Sequence, residues 1–568
     1  MDRLIKTLIT VVLSTVVCVQ IQAQKNNGTA LSVVPSENVY LHINATSFVS
    51  GETLYYKLYS LNSLNSKLSD LSKIAYVELI DNDKKIISSH KLALENGTSQ
   101  GDYFISSNIK TGTYKLVAFT KWMLNNQKTS FFETEITIIN PFENEEENKI
   151  STRSIEEKNT VNSSETNIQL NKKIFTQREK INLKLDQLQK GNYSISVRKK
   201  QDLPTIEKQN LIEYLKNQSS ETIAITSSNT IIPELRGQII TGKITPKDAS
   251  FPINNISVGM SMPGKNFEFK LVKTDKNGKF MFNIDKPHQE SNFVFQIVND
   301  FKENYSLEIE KNNGIDPSKL NFDTNLVAIN SNLKTVLEEH SVASQIENSY
   351  FEKKSDSILS TKRYPALYEP IAKEYILDNY TRFKTIKETI IEVVKEMQYY
   401  KNNDTYTFYI ADYDAFTELT EQPLVLVDGV LVQNINDFLE YDATNIYKIC
   451  LIQGGYYYGN RIFNGLISFI TKNYDYPLKT KGNYTLETNI APTLPKKTYY
   501  NPDYSVATNS DRIPDYRYQL LWNPDLKLDP ENTVSFYTSD KTGTFEIHIE
   551  GFTNEGTPIT MKQSFEVN

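Results

Sequence analysis

Three short stretches set the terms for the chain: Gly112-Thr-Tyr-Lys-Leu, Gly191-Asn-Tyr-Ser-Ile and Gly543-Thr-Phe-Glu-Ile-His-Ile. Each opens on glycine, places an aromatic residue two positions on, and continues with apolar and polar side chains in alternation. Glycine gives the backbone freedom that a turn needs, and a period of two sends every second side chain to one face. Each stretch therefore reads as the closing strand of a β-sandwich. A longer match points the same way. Phe48-Val-Ser-Gly-Glu-Thr-Leu-Tyr-Tyr-Lys-Leu58 aligns with Phe175-Thr-Gln-Arg-Glu-Lys-Ile-Asn-Leu-Lys-Leu185 at a constant offset of 127 residues, sharing Phe, Glu, Lys and the final Leu. That is the mark of an internal repeat.

The chain has 568 residues, room for roughly three to five domains of about 100–150 residues each. With 34 Tyr and 27 Phe, its apolar residues alternate more than they cluster, which favours strands. Its 62 basic and 69 acidic residues give a net charge of −7. No basic stripe marks a nucleic-acid partner.

The first 23 residues read as an export leader. Arg3 and Lys6 precede the apolar run from Leu8 to Val19, and Ile21-Gln22-Ala23 offers a cleavage site. Cys18 raises the alternative of a lipid anchor, but Thr15-Val16-Val17 lacks the residues usual before an acylated cysteine. No other segment is long and apolar enough to span a membrane as a helix. Removal of the leader leaves Cys450 alone, so no intrachain disulfide is expected.

Pattern changes divide the rest. Residues 24–142 read as a first sandwich, and 143–170, rich in Glu, Asn, Ser and Thr, as a polar linker. A second, smaller sandwich is assigned to 171–233 and a third β-sandwich to 234–325. In the third, Asn277-Gly278 signals a type I′ hairpin. Residues 326–380 form a helical connector, with Leu333/Leu337 and Ile346/Tyr350 spaced i, i+4. An α+β unit follows at 381–474, where Thr385-Ile-Lys-Glu388 is a capping box. A loop-rich segment and a terminal sandwich occupy 475–568. The expected fold class is mainly β: a multidomain chain of β-sandwiches with a short helical segment and one α+β domain.

Several segments resemble known families. Phe48-Val-Ser-Gly-Glu-Thr-Leu, with Gly112-Thr-Tyr-Lys-Leu-Val-Ala-Phe-Thr-Lys-Trp-Met123, resembles the MG2 domain of bacterial macroglobulin-like proteins. Arg512-Ile-Pro-Asp-Tyr-Arg517 and Leu521-Trp-Asn-Pro524 resemble a later macroglobulin-type domain. Residues 171–233 are assigned as a second macroglobulin-like sandwich. Residues 234–325 are similar to a prealbumin-type, carboxypeptidase-regulatory-like module. Val425-Leu-Val-Asp-Gly-Val430, Tyr458-Gly459 and Asn464-Gly-Leu-Ile-Ser-Phe-Ile-Thr-Lys472 resemble the plug domain of TonB-dependent receptors. The order of these segments resembles a group of Bacteroidota cell-envelope proteins. Only 96 residues follow Lys472, whereas the strands of a 22-stranded barrel need at least about 200. The plug-like unit is thus expected without a barrel.

The residues themselves lead to the expectation of no cofactor, metal or catalytic residue. Cys450-Leu-Ile-Gln453 has the spacing of a macroglobulin thioester, but Tyr447-Lys-Ile-Cys-Leu-Ile452 reads as a strand, which sends residues three apart to opposite faces. Cys450 is expected to be a buried apolar side chain. His42, His90, His288, His340 and His548 form no metal-ligand spacing, His340 reads as a core histidine, and Asp81-Asn-Asp83 reads as a turn rather than a calcium loop. Asp428-Gly429 reads as a plug turn. Tyr456, Tyr457 and Tyr458 are the candidate contact, either with the terminal sandwich or with an outer-membrane or periplasmic protein partner. The expected function is a non-enzymatic interaction or scaffold protein of the outer envelope, exported to the periplasm or cell surface and held in an outer-membrane protein complex. The alternatives are a noncovalent macroglobulin-type protease inhibitor lacking a thioester, or a hydrolase.

Overall fold

The computed structural model describes residues 33–568 except 126–130, 144–148, 152–167, 187, 201–202, 204–207, 219, 221, 225–229, 312–313, 323–325, 329–330, 360–363, 367, 412–421, 460, 479–481, 506–511 and 529–531. The leader, Cys18 and most of the expected linker lie outside the described residues. Within the linker, Lys149–Ser151 pairs antiparallel with Leu326–Ala328.

The chain is mainly β, built of sandwiches and one α+β unit. In the N-terminal sandwich a three-stranded sheet takes the order Glu37–Ile43, Thr53–Asn62, Thr98–Phe104. It faces a five-stranded sheet in the order Ser47–Val49, Phe132–Ile139, Gly112–Phe119, Ile74–Ile80, Ile86–Ala93. Val39, Leu58, Val77, Leu116 and Ile136 fill the space between, each contributing roughly 1.5–3 kcal/mol by leaving water. Glu37–Ile43 is buried along its whole length rather than alternately, because its second face meets another sandwich.

That other sandwich corrects the domain assignment. The segments placed in a small second sandwich (171–233) and in a terminal one (475–568) are two halves of a single fold. Its five-stranded sheet runs Ile174–Phe175, Pro558–Val567, Gly543–Thr553, Gly191–Lys199, Gln519–Leu526. Its three-stranded sheet runs Ile168–Leu170, Lys180–Leu185, Thr533–Tyr537. Tyr193 pairs with Gly551, Ile195 with Ile549, and Val197 with Ile547. Strand for strand this is the topology of the N-terminal sandwich. The one difference is a hairpin: Ile74–Ile80 turns directly into Ile86–Ala93, whereas the equivalent strands Gly191–Lys199 and Gln519–Leu526 are separated by residues 200–518. Local pattern cannot register a partner so distant in sequence, which is why one domain read as two. None of the three Gly-x-aromatic strands closes its sandwich: Phe132–Ile139 follows the Gly112 strand, Pro558–Val567 follows the Gly543 strand, and the Gly191 strand lies beside the Gly543 strand as an earlier member of the same sheet.

The repeat has a structural basis. Phe48 and Phe175 are both buried in short strands that pair parallel with the last strand of their sandwich. In each copy the shared glutamate closes the following turn, Glu52 accepting from Val49 N at 2.9 Å and Glu179 from Thr176 N at 2.8 Å. The Gly-x-Tyr pattern also has a shared contact. Tyr114 donates its hydroxyl to Lys110 O at 2.7 Å, and Tyr193 to Gln189 O at 2.9 Å, each pinning the turn before its strand.

The inserted residues form two further units. One is a sandwich with sheets Lys279–Ile284, Gln238–Pro246, Tyr305–Ile309 and Glu268–Lys273, Ser257–Met262, Asn292–Val298, Thr485–Asn489. Its last strand comes from beyond the expected boundary at 325. Asn277-Gly278 does not make a type I′ hairpin: only Gly278 has positive φ, and the turn carries the chain from one sheet to the other. The other unit is α+β, a sheet in the order Lys373–Ile376, Ile446–Tyr458, Arg461–Thr471, Leu424–Val427, Val430–Leu431. Helix Ile386–Val393 starts at Thr385, with both capping-box bonds made to Glu388. Between the units, helix Ser331–Ser349 sets Leu337 against Val49, Ile139 and Leu203. Among the described residues, no helix is long and apolar enough to cross a membrane.

Candidate interaction surface and a buried histidine cluster

The tyrosines expected to act as one contact are divided by strand geometry. Strands Ile446–Tyr458 and Arg461–Thr471 form a hairpin in which Tyr456 faces Phe463, Tyr457 faces Ile462 and Tyr458 faces Arg461. A register shift between Ile452 and Gly455, with Gly454 at φ 75°, re-aims its outer end. Period two then sends Tyr456 and Tyr458 to one side and Tyr457 to the other. Tyr458 stacks on Phe269 of the inserted sandwich at 5.5 Å, and its hydroxyl donates to Phe269 O. Tyr456 stacks on Tyr458 at 6.0 Å. Both rings are half-buried there, not against the terminal strands, so that alternative is corrected. Tyr457 is 76% exposed, beside Ile462 at 40%.

Asp428 and Gly429 make the tight turn between Leu424–Val427 and Val430–Leu431, with φ of 49° and 81°. Asp428 is fully buried and accepts from Thr471 N at 2.8 Å, Thr471 Oγ1 at 2.6 Å and Tyr476 N at 3.2 Å. Burial raises its pKa against those bonds. It organises three segments of backbone. Gly429 sits where a Cβ would lie 2.6 Å from Phe267 of the inserted sandwich.

Cys450 is fully buried among Leu424, Leu426 and Leu466, and burial pushes its thiol up to about 12. Gln453 is exposed and donates to Ala411 O at 2.6 Å. The thioester spacing is thus spent on a strand, with the thiol in the core and the amide outside it. Asp81 closes its turn by accepting from Lys85 N at 2.8 Å. His340 is buried, its ring 4.0 Å from that of Tyr518.

One cluster has no counterpart in the sequence reading. At the joint between the N-terminal and split sandwiches, His42 and His548 bring their rings to 4.9 Å, although they stand near opposite ends of the chain. Glu550 lies 3.2 Å from His548 Nε2 through Oε1, and accepts from Tyr40 OH at 2.6 Å and Leu211 N at 3.2 Å. Lys208 Nζ donates to Ile43 O at 2.6 Å and lies 3.3 Å from His548 Nδ1. His42 Nδ1 meets Ser194 Oγ at 2.6 Å, while its Nε2 is buried without a hydrogen-bond partner. Burial, with Lys208 nearby, lowers the His42 pKa well below its ordinary value. Burial also brings Lys208 down to about 8. Burial alone would raise Glu550, but the surrounding His548 and Lys208 hold it well below the usual carboxylate range. The sequence signal was His548-x-Glu550, two polar side chains on one face of a buried strand.

Ser194 and His42 do not make a hydrolase relay. Such a relay places hydroxyl and carboxylate on the two nitrogens of one imidazole. Here Glu550 engages His548 instead, and Ser194 and His42 are both fully buried.

No family model and no curated protein matches the sequence. Among solved structures, the chain is similar to Escherichia coli alpha-2-macroglobulin activated by porcine elastase, with 9% identity over 94% of this chain and 44% of that one, at a TM-score of 0.24. It is similar to Salmonella alpha-2-macroglobulin reacted with methylamine, with 9% identity over 95% of this chain and 40% of that one, at 0.23. Dimeric latent PorU from Porphyromonas gingivalis is matched at 8% identity over 49% of this chain and 33% of that one, at 0.16. The chain spans less than half the length of the macroglobulins it matches. Its fold assignment rests on its own sheets.

Proposed function

We propose that this chain is a non-enzymatic interaction protein of the bacterial outer envelope, a component of an outer-membrane protein complex. It binds an outer-membrane or periplasmic protein partner through the outward side of the plug-like hairpin. The observation that carries this reading is Tyr457, with most of its ring in water beside exposed Ile462. The same strand is held from behind by Tyr458 on Phe269. Tyrosine offers large contact area and a polar tip at small entropic cost, and such anchors on a rigid strand are characteristic of protein interfaces. The leader expected at residues 1–23 and the resemblance to cell-envelope proteins support this location.

The test uses the tagged full chain purified from envelopes. Tyr457→Ser with Ile462→Ser changes only exposed positions, so circular dichroism should match the parent. The proteins that co-purify with the parent should be lost from the double variant. Their retention at parental levels contradicts the reading and moves the search to another surface.

A further inference from the structure

We propose that His42, His548 and Glu550 form a binding site for a divalent transition metal of the zinc class, joining the N-terminal sandwich to the split one. One ligand atom from each lies within 4.8 Å of the others. The set is two imidazoles and one carboxylate, a donor combination that suits zinc. It is assembled from two domains. His42 comes from strand Glu37–Ile43, and His548 and Glu550 stand two apart on strand Gly543–Thr553, hence on one face.

The hydrogen bonds single out the nitrogen that would bind. Besides His42, Ser194 Oγ has two acceptors for its one proton, Tyr59 OH at 3.0 Å and Glu550 O at 3.3 Å. In the tautomer that binds a metal, Ser194 gives its proton to one of these and accepts from His42 Nδ1–H at 2.6 Å. That leaves the lone pair of His42 on Nε2, fully buried and with no donor reaching it. A buried imidazole lone pair without a donor is costly in a protein core, and a metal ion satisfies it. An imidazole whose second nitrogen donates to a fixed oxygen is also how metal-bound histidines are oriented. On the other side, His548 Nε2 faces Glu550 Oε1 at 3.2 Å, and a metal takes the place of the proton those two atoms share. Zinc–nitrogen bonds of about 2.0–2.1 Å require the three ligand atoms to close in from their present spacing, so metal binding draws the two strands together. Lys208, 3.3 Å from His548 Nδ1, opposes a cation there.

The full chain, stripped with chelator and dialysed, is titrated with zinc chloride and separately with cobalt(II) chloride. The expected result is about one tightly held equivalent of zinc, and with cobalt an intense visible absorption of a low-coordinate ion. His42→Gln should weaken zinc by more than tenfold. Ser194→Ala, which removes the oxygen that orients His42 but no ligand atom, should weaken it by about 10–100-fold. Lys208→Met should tighten it. Because a joint variant can fail to fold, the cobalt spectrum of the unaltered chain decides independently. A spectrum of hydrated cobalt only, or zinc retention that is the same in the parent and in folded His42→Gln, overturns the site.

Discussion

Arg198 Nη2 donates to Glu52 Oε1 at 2.8 Å across the boundary between the two sandwiches, and each side chain is less than one-tenth exposed. His340, from helix Ser331–Ser349, lies 3.6 Å from the same carboxylate. One buried charge therefore ties together the N-terminal sandwich, the split sandwich and the inserted residues. Removing one partner strands the other away from water, so Arg198→Met should cost about 3–5 kcal/mol in chemical denaturation. The double variant Glu52→Leu with Arg198→Met should recover much of that loss, because burying the pair is itself expensive. A single-variant loss below 1 kcal/mol contradicts the assignment.

The same pair sets an acid limit. Burial alone would raise the Glu52 carboxyl, but Arg198 and His340 outweigh it and bring it down to about 2. A carboxylate depressed in the folded state contributes its stability fully above its unfolded pKa near 4.5. That contribution fades as the pH falls from there towards 2. The stability gap between the parent and Glu52→Gln should therefore be constant from pH 5 to 7 and narrow below pH 4.5. A gap that widens on acidification has the wrong sign.

Tyr114 and Tyr193 make the same backbone contact in the two sandwiches, so Tyr→Phe should cost about 0.5–1.5 kcal/mol at each. The two losses should be similar and additive, since the hydroxyls serve separate turns. Strongly unequal losses, by denaturant titration of each variant, contradict the likeness of the two hydrogen bonds.

Gly429→Ala meets two obstacles: a backbone at φ 81° and Phe267 at 2.6 Å from the new Cβ. The left-handed conformation alone costs roughly 1–2 kcal/mol for a residue with a side chain. The variant should be destabilised by at least that much, with protease cleavage appearing between the α+β unit and the inserted sandwich. Parental stability would show that the two units do not meet at this turn.

Cys450 should resist thiol reagents at pH 8 in native buffer and react fully in denaturant, because its thiol is buried and pushed up to about 12. Methylamine should release no new thiol. Rapid native labelling contradicts the core position.

Local chemistry was legible in the sequence wherever its partners are sequence neighbours. The Thr385 capping box and the Asp428-Gly429 turn depend on residues within a few positions and have the predicted form, and the shared Glu of the repeat likewise accepts from a backbone N–H three residues back. Pairing across the inserted segment was not legible, because a strand's alternation reports that it has a buried face and not which strand lies beside it. Gly191 and Gly543 therefore read as the same element in two domains, when they open neighbouring strands of one sheet. The tyrosine run divides for a different reason: composition groups its three residues, but strand geometry alone separates Tyr457 from Tyr456 and Tyr458. The His42 and His548 pairing depends on how two domains dock, for which neither segment carries a local signal.

The account rests on the split sandwich being one complete fold that carries residues 200–518 as a guest between two adjacent strands. Excision tests this directly: residues 168–199 are joined to 519–568 through the five-residue turn that the N-terminal sandwich uses at 81–85. Thermal unfolding is then followed by circular dichroism. The account predicts a β-rich spectrum and a single cooperative transition, as for any small sandwich with its core intact. A disordered spectrum, or unfolding without a transition, would contradict it and return the two segments to separate domains.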